Sequence, residues 1–100
     1  MKTAFKKTSE IDGTHLVGYV ETTFDELVKT FGEPHHTESD DGKITAEWGL
    51  EFPDGTIATI YDWKEEETPL GKYDWHIGGR TDYAVVFVKL ALLEKKEKGK

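Results

Sequence analysis

The chain has 100 residues, 12 of them aromatic, no cysteine and a formal net charge of −7, which is room for one folded domain with one core. The missing cysteine excludes disulfide scaffolds, thiolate metal sites and thiol catalysis, and no apolar run approaches the ~20 residues of a membrane span. The aromatic content is too high for a disordered acidic tail.

Residues 1–12 read as an extended N-terminal lead-in that closes at the turn dipeptide Asp12-Gly13. Its first seven residues are basic, but no apolar stretch follows them, so no signal peptide is expected. His15 to Glu21 reads as a short strand in which Gly18 permits a bulge or a close backbone approach. Thr23 and Glu26 form a capping box, and Phe24, Leu27, Val28 and Phe31 make an apolar stripe at helical spacing. Gly32 and Pro34 end that helix, which is expected over 23–31.

Glu33 to Lys43 reads as a polar loop or a loose hairpin, ending in Asp41-Gly42. Ile44, Ala46, Trp48, Leu50 and Phe52 then alternate with polar or small residues, the period of a half-buried strand. Asp54-Gly55 signals a hairpin whose return strand runs from Thr56 to Lys64. A two-residue turn there would set Trp48 opposite Tyr61 and Ala46 opposite Trp63 on the apolar side, with Glu47, Glu51 and Asp62 facing solvent. A three-residue turn would shift the register by one and bring Asp62 opposite Ala46, a worse match on pattern alone. Tyr73 to Ile77 reads as the final strand, stopped by Gly78-Gly79. From Arg80 to Glu97 the apolar content runs too long for a strand and predicts a helix, with Tyr83, Val86, Leu90 and Leu93 along one side and Ala84, Phe87, Val88 and Ala91 along another. So broad an apolar surface belongs in the core or in a homodimer contact. The order β-α-β-β-β-α predicts an α+β fold: a small single domain over 13–95, with two helices on one face of a three- to four-stranded, mainly antiparallel sheet, and a basic tail over 96–100.

Several strings along this path are familiar together. Gly18-Tyr19, Phe24-Asp25-Glu26-Leu27-Val28, Phe31-Gly32-Glu33-Pro34, Ala46-Glu47-Trp48, Thr59-Ile60-Tyr61-Asp62-Trp63-Lys64 and Trp75-His76-Ile77-Gly78-Gly79 resemble a family of small, uncharacterised tailed-bacteriophage proteins, over residues 13 to 93. The resemblance implies an accessory protein made in the cytoplasm of an infected bacterium. It also implies a role in counter-defence or against host metabolism, as an inhibitor or sequestering protein.

Two candidate surfaces follow from the residues. The first is acidic. Residues 10–74 carry 17 acids against four lysines, which repels a phosphate backbone and makes nucleic-acid binding unexpected. Such a surface either keeps the protein soluble or docks on a basic host protein, through Glu47, Glu51, Asp62 and Glu65 with an aromatic edge. The second is the stretch from Trp75 to Asp82. Gly78 and Gly79 ahead of a helix start can aim amides at an anion, Arg80 can pair with phosphate, Trp63 or Trp75 can stack on a base, and His76 can hydrogen-bond a ligand. That set suits a nucleotide-like ligand; the plainer reading is a tight turn with one glycine at positive φ. Glu33, His35, His36, Glu38, Asp40 and Asp41 match no zinc or calcium spacing, so no metal or other cofactor is expected. Glu47, Glu51 and Asp62 on an open sheet are solvated, and no hydroxyl has an evident base partner, so no catalytic residue is assigned.

Overall fold

A computed structural model of the chain describes residues 5–8, 11, 13–34, 44–63 and 67–98. Five strands and two helices follow in the order β1 (Lys6–Lys7), β2 (His15–Thr22), α1 (Phe24–Phe31), β3 (Glu47–Glu51), β4 (Ile57–Tyr61), β5 (Tyr73–Gly79) and α2 (Tyr83–Lys98). The strands form one antiparallel sheet in the spatial order β1-β3-β4-β5-β2. The α+β class and the two helices agree with the sequence pattern.

The lead-in supplies a fifth strand. Lys6 and Lys7 pair with Glu51 and Leu50, and Phe5 sets its ring edge-on to Phe31 and Phe52 at 5.2 and 6.4 Å. Lys7 Nζ donates to the Glu33 carbonyl at 2.7 Å, just past the end of α1. Residues 5–7 are therefore part of the domain rather than an extension of it. A two-residue strand carries too little pattern to be read from sequence.

α1 forms where its cap and stripe require. Thr23 Oγ1 accepts from the Glu26 amide at 3.2 Å, and Gly32, at φ 86°, closes the helix with its amide bonded to the Val28 carbonyl. Leu27 and Phe31 face the core, and the Trp48 indole N–H donates to the Gly32 carbonyl at 2.7 Å. α2 lays Ala84, Val88, Ala91 and Leu92 on the sheet. Between the helices and the sheet lie Val20, Trp48, Leu50, Ala58, Ile60, Trp75 and Ile77, with Trp48 and Trp75 edge-to-face at 5.6 Å.

The hairpin register differs from the two-residue expectation. Trp48 pairs with Ile60 and Leu50 with Ala58. The loop is Pro53-Asp54-Gly55: the Gly55 amide bonds the Phe52 carbonyl, the Phe52 amide bonds the Thr56 carbonyl, and Gly55 sits at φ 90°. This is the three-residue form, a type I turn closed by a left-handed glycine, for which Pro53 presets the first position. Asp62 is consequently not solvent-facing. It is fully buried, its carboxylate accepting from the Thr45 amide (2.7 Å), the Ala46 amide (3.1 Å) and the Thr45 hydroxyl. The mismatch feared from pattern is thus resolved by hydrogen bonding, which satisfies a buried acid at that position.

Gly78 and Gly79 do not stop β5 but end inside it, paired with Thr59 and Ala58. A side chain on Gly78 would collide with Thr59 Oγ1, and a Cβ on Gly79 would stand 2.6 Å from the Ala84 Cβ. Neither has positive φ among the glycines that do, which are Gly13, Gly32 and Gly55. They are glycine because α2 and β4 approach so closely.

Asp62→Ala leaves a buried amide and a half-buried one without an acceptor, and is expected to lower unfolding stability by roughly 3 kcal/mol. Asp62→Asn keeps one acceptor and should recover part of the loss, read in urea unfolding with an unchanged m-value. Gly79→Ala should cost about 1–3 kcal/mol in the same assay by pushing α2 off the sheet.

Candidate binding surface on the open sheet face

Side chains directly opposite across paired strands share a face. From the registers, Glu47 lies opposite Tyr61, Tyr61 opposite His76 and His76 opposite Tyr19. These four residues form one row across β3, β4, β5 and β2 on the face turned from the helices. The rings touch: Tyr61 stacks on His76 at 5.3 Å, and Tyr19 meets the other side of His76 edge-on at 4.9 Å. Trp63, just past β4, stands edge-on to Tyr61 at 6.4 Å. The Trp63 amide donates to the Tyr73 hydroxyl at 3.1 Å, which holds that end of the strand.

The neighbouring row on the same face is built from small groups. Gly49, Thr59 and Gly78 pair in register and are buried. β1 and β2 lie at opposite edges of the sheet; the Thr8 amide, just past β1, bonds the Gly49 carbonyl, and Gly13, just before β2, lies near Arg80. The aromatic row is accessible, with Tyr19 49% and Trp63 37% exposed, and Leu16, paired with Gly78 at the β2 edge, is an exposed apolar neighbour on the same face. Glu21 and Asp74, paired with each other and both exposed, and the half-buried Glu47 place three carboxylates around it. Glu51 shares the face but lies beyond Gly49, within 3.8 Å of Lys6 Nζ.

The electrostatics agree with this geometry. The Tyr61 hydroxyl is pushed above the usual tyrosine range, first by burial, then by the Glu47 carboxylate and by Tyr19. It is neutral at physiological pH and remains a hydrogen-bond donor.

The residues expected to make an anion turn do not converge. Trp75 is fully buried in the core, with its ring against Trp48 and Tyr73. A strand alternates its faces, so His76 points to the opposite side. Gly78 and Gly79 are in β5, not in a loop ahead of a helix. Arg80 lies at the sheet end, beside a shallow depression lined also by Asp54, Thr81 and Tyr83. The first amides of α2 are already engaged, since the Tyr83 amide donates to Thr81 Oγ1 and the Ala84 amide to the Thr81 carbonyl. Of the acidic set, Glu47 and Glu51 are on the open face as expected, Asp62 is in the interior, and Glu65 lies outside the described residues. The polar run from His35 to Lys43 also lies outside them.

Sequence reasoning missed Tyr19, Tyr61, Glu21 and Asp74. Tyr61 was displaced by the one-residue register error, and Pro53 was the signal that would have corrected it. Among the described residues no three histidines or acids group as metal ligands, and no helix is long and apolar enough to cross a membrane.

Absorbance titration should show a tyrosine ionising above the usual tyrosine range, a step lost in Tyr61→Phe. Because the folded pKa is raised, the associated stability is fully present below the unfolded tyrosine value of about 10 and falls as pH rises through the folded one. Comparison of the chain with family models, curated proteins and solved structures finds no match in any of the three.

Proposed function

We propose that this is a non-enzymatic binding protein that docks a basic protein on the row Glu47–Tyr61–His76–Tyr19, extended by Trp63. The supporting observation is the row itself: three rings in mutual contact across β4, β5 and β2, two half-buried and Tyr19 exposed, bordered by the carboxylates of Glu21, Glu47 and Asp74. Tyrosine and tryptophan are the residues that anchor protein interfaces. An arginine or lysine of the partner would stack on Tyr19 or Trp63 and pair with a neighbouring carboxylate. The net charge of −7 steers a cationic partner towards this body and disfavours nucleic acid.

The resemblance of the motifs to small tailed-bacteriophage proteins supplies the setting. The partner is a bacterial host protein of defence or metabolism, bound in the host cytoplasm and blocked by occupancy.

The test uses the immobilised chain in host lysate at low salt, beside a Glu47→Lys/Asp74→Lys variant and a Tyr19→Ala variant. A basic protein retained by the unaltered chain, released by ~0.5 M salt and lost by at least tenfold in both variants is the expected outcome. Equal retention by all three chains, or none by the unaltered one, would overturn the reading.

A further inference from the structure

The two edges of the sheet differ in kind. β1 closes one of them with two residues, both lysine, and a short basic edge resists further pairing. β2 forms the other with eight residues and carries neither lysine nor proline. Its bulge lies between Leu16 and Gly18, so the stretch from Gly18 to Thr22 pairs regularly with β5. Among the described residues, no backbone hydrogen bond outside that ladder involves β2.

The registers fix which backbone groups of β2 are left over. The Gly49 carbonyl bonds the Thr8 amide on the β1 side. In an antiparallel sheet, successive residues turn their amides and carbonyls to opposite neighbours. Carried through the pairs Gly49–Thr59 and Thr59–Gly78, this phase sets Trp75 to bond Val20, and Ile77 to bond Gly18. The amides and carbonyls of Tyr19 and Glu21 therefore point out of the sheet.

Both sides of this edge carry features that an added strand would use. On the helix side lies a cleft of about 180 Å³, walled by Val20, Leu92 and Leu93 and reached by Thr22. Thr22 is only 6% exposed, and its Oγ1 has no hydrogen-bond partner. On the open side stand the exposed Tyr19 ring and the carboxylates of Glu21 and Asp74. A second copy is a poor occupant: it would bring its own Glu21 and Asp74 to the same edge, on a chain of net charge −7.

Resting on the docking role above, we propose that the basic partner engages by strand addition, an extended segment pairing with β2 through the outward groups of Tyr19 and Glu21. Side chains alternate along such a segment. Lysines or arginines two residues apart lie on the open face, stacking on Tyr19 and pairing with Glu21 and Asp74. The residue between them turns into the cleft. A threonine there sets its methyl against Val20 and Leu92 and offers its hydroxyl to Thr22 Oγ1. The segment recognised is thus a basic strand of alternating pattern, and the backbone bonds supply affinity while the alternate side chains supply selectivity.

Amide hydrogen exchange by NMR on the full chain tests this, with an acetylated octapeptide of alternating lysine and threonine as the probe. In the free chain Val20 should exchange slowly and Tyr19 and Glu21 rapidly. Saturating peptide should slow Tyr19 and Glu21 by at least about tenfold. Two further peptides keep every charge, one N-methylated at its lysine amides and the other at its threonine amides. A paired strand donates from one phase only, so one of the two should bind about tenfold more weakly and the other should not. Binding of all three peptides alike, with Tyr19 and Glu21 still exchanging rapidly, would overturn strand addition and leave docking by rings and charge standing. An octapeptide that does not bind would also overturn strand addition, while retention of a basic host protein continues to test the docking role separately. Slow exchange at Tyr19 and Glu21 without peptide, growing with protein concentration, would assign the edge to a second copy and overturn the proposal.

Discussion

The carboxylate of Asp62 is the point on which the arrangement of this sheet turns. It lies in the interior at the open end of the β3–β4 hairpin, where two backbone amides and a hydroxyl from Thr45 and Ala46 converge on it. At the closed end Pro53-Asp54-Gly55 makes a three-residue loop, with the Asp54 side chain accepting from the Thr56 amide at 2.9 Å. Both ends specify the same register. Because side chains alternate along a strand, a slip of one residue on β4 would exchange its two faces. Ile60 and Ala58 would turn to solvent, and Tyr61 and Trp63 would press into the helices. The buried acid thus selects which aromatic residues form the core and which form a surface.

The consequences spread through the neighbouring strands. β5 pairs with β4, so its register places Trp75 and Ile77 with the core and His76 with Tyr61. β2 then pairs with β5 and adds Tyr19 on the far side of His76. The bulge between Leu16 and Gly18 restores the alternation after one extra residue, and Gly18 gives Val85 of α2 room to pack, since a Cβ there would stand 2.8 Å from the valine methyl. A row that spans four strands in this way, with rings on three of them, owes nothing to any single segment. It exists because three successive registers agree.

The two faces of the molecule consequently have different chemistry. One carries the helices, and the outer side of α2 is greasy and faces outward. The other carries aromatic rings among carboxylates. A surface that mixes rings with negative charge recognises cations by stacking and pairing at once, whereas the α2 stripe offers only shape and apolar area.

Much of the local structure is determined by the sequence alone. Thr23, Glu26 and Gly32 delimit α1 through backbone groups within a few residues, and its stripe needs only helical spacing. The alternation over 44–52 places Trp48 and Leu50 inward whichever turn follows. The two apolar sides of α2 can be counted from its spacing. What only the tertiary structure decided depends on comparing distant segments. Lys6 and Lys7 became a strand because an edge of β3 was available to them. Gly78 and Gly79 are glycine because Thr59 and Ala84 come from elsewhere to lie against them. Asp62 could be read as a surface acid until Thr45 and Ala46, 17 and 16 residues away, supplied its hydrogen bonds. Local propensity acts over one turn of helix or one strand, but the choice of face is settled by partners far along the chain, and the aromatic row depends on that choice.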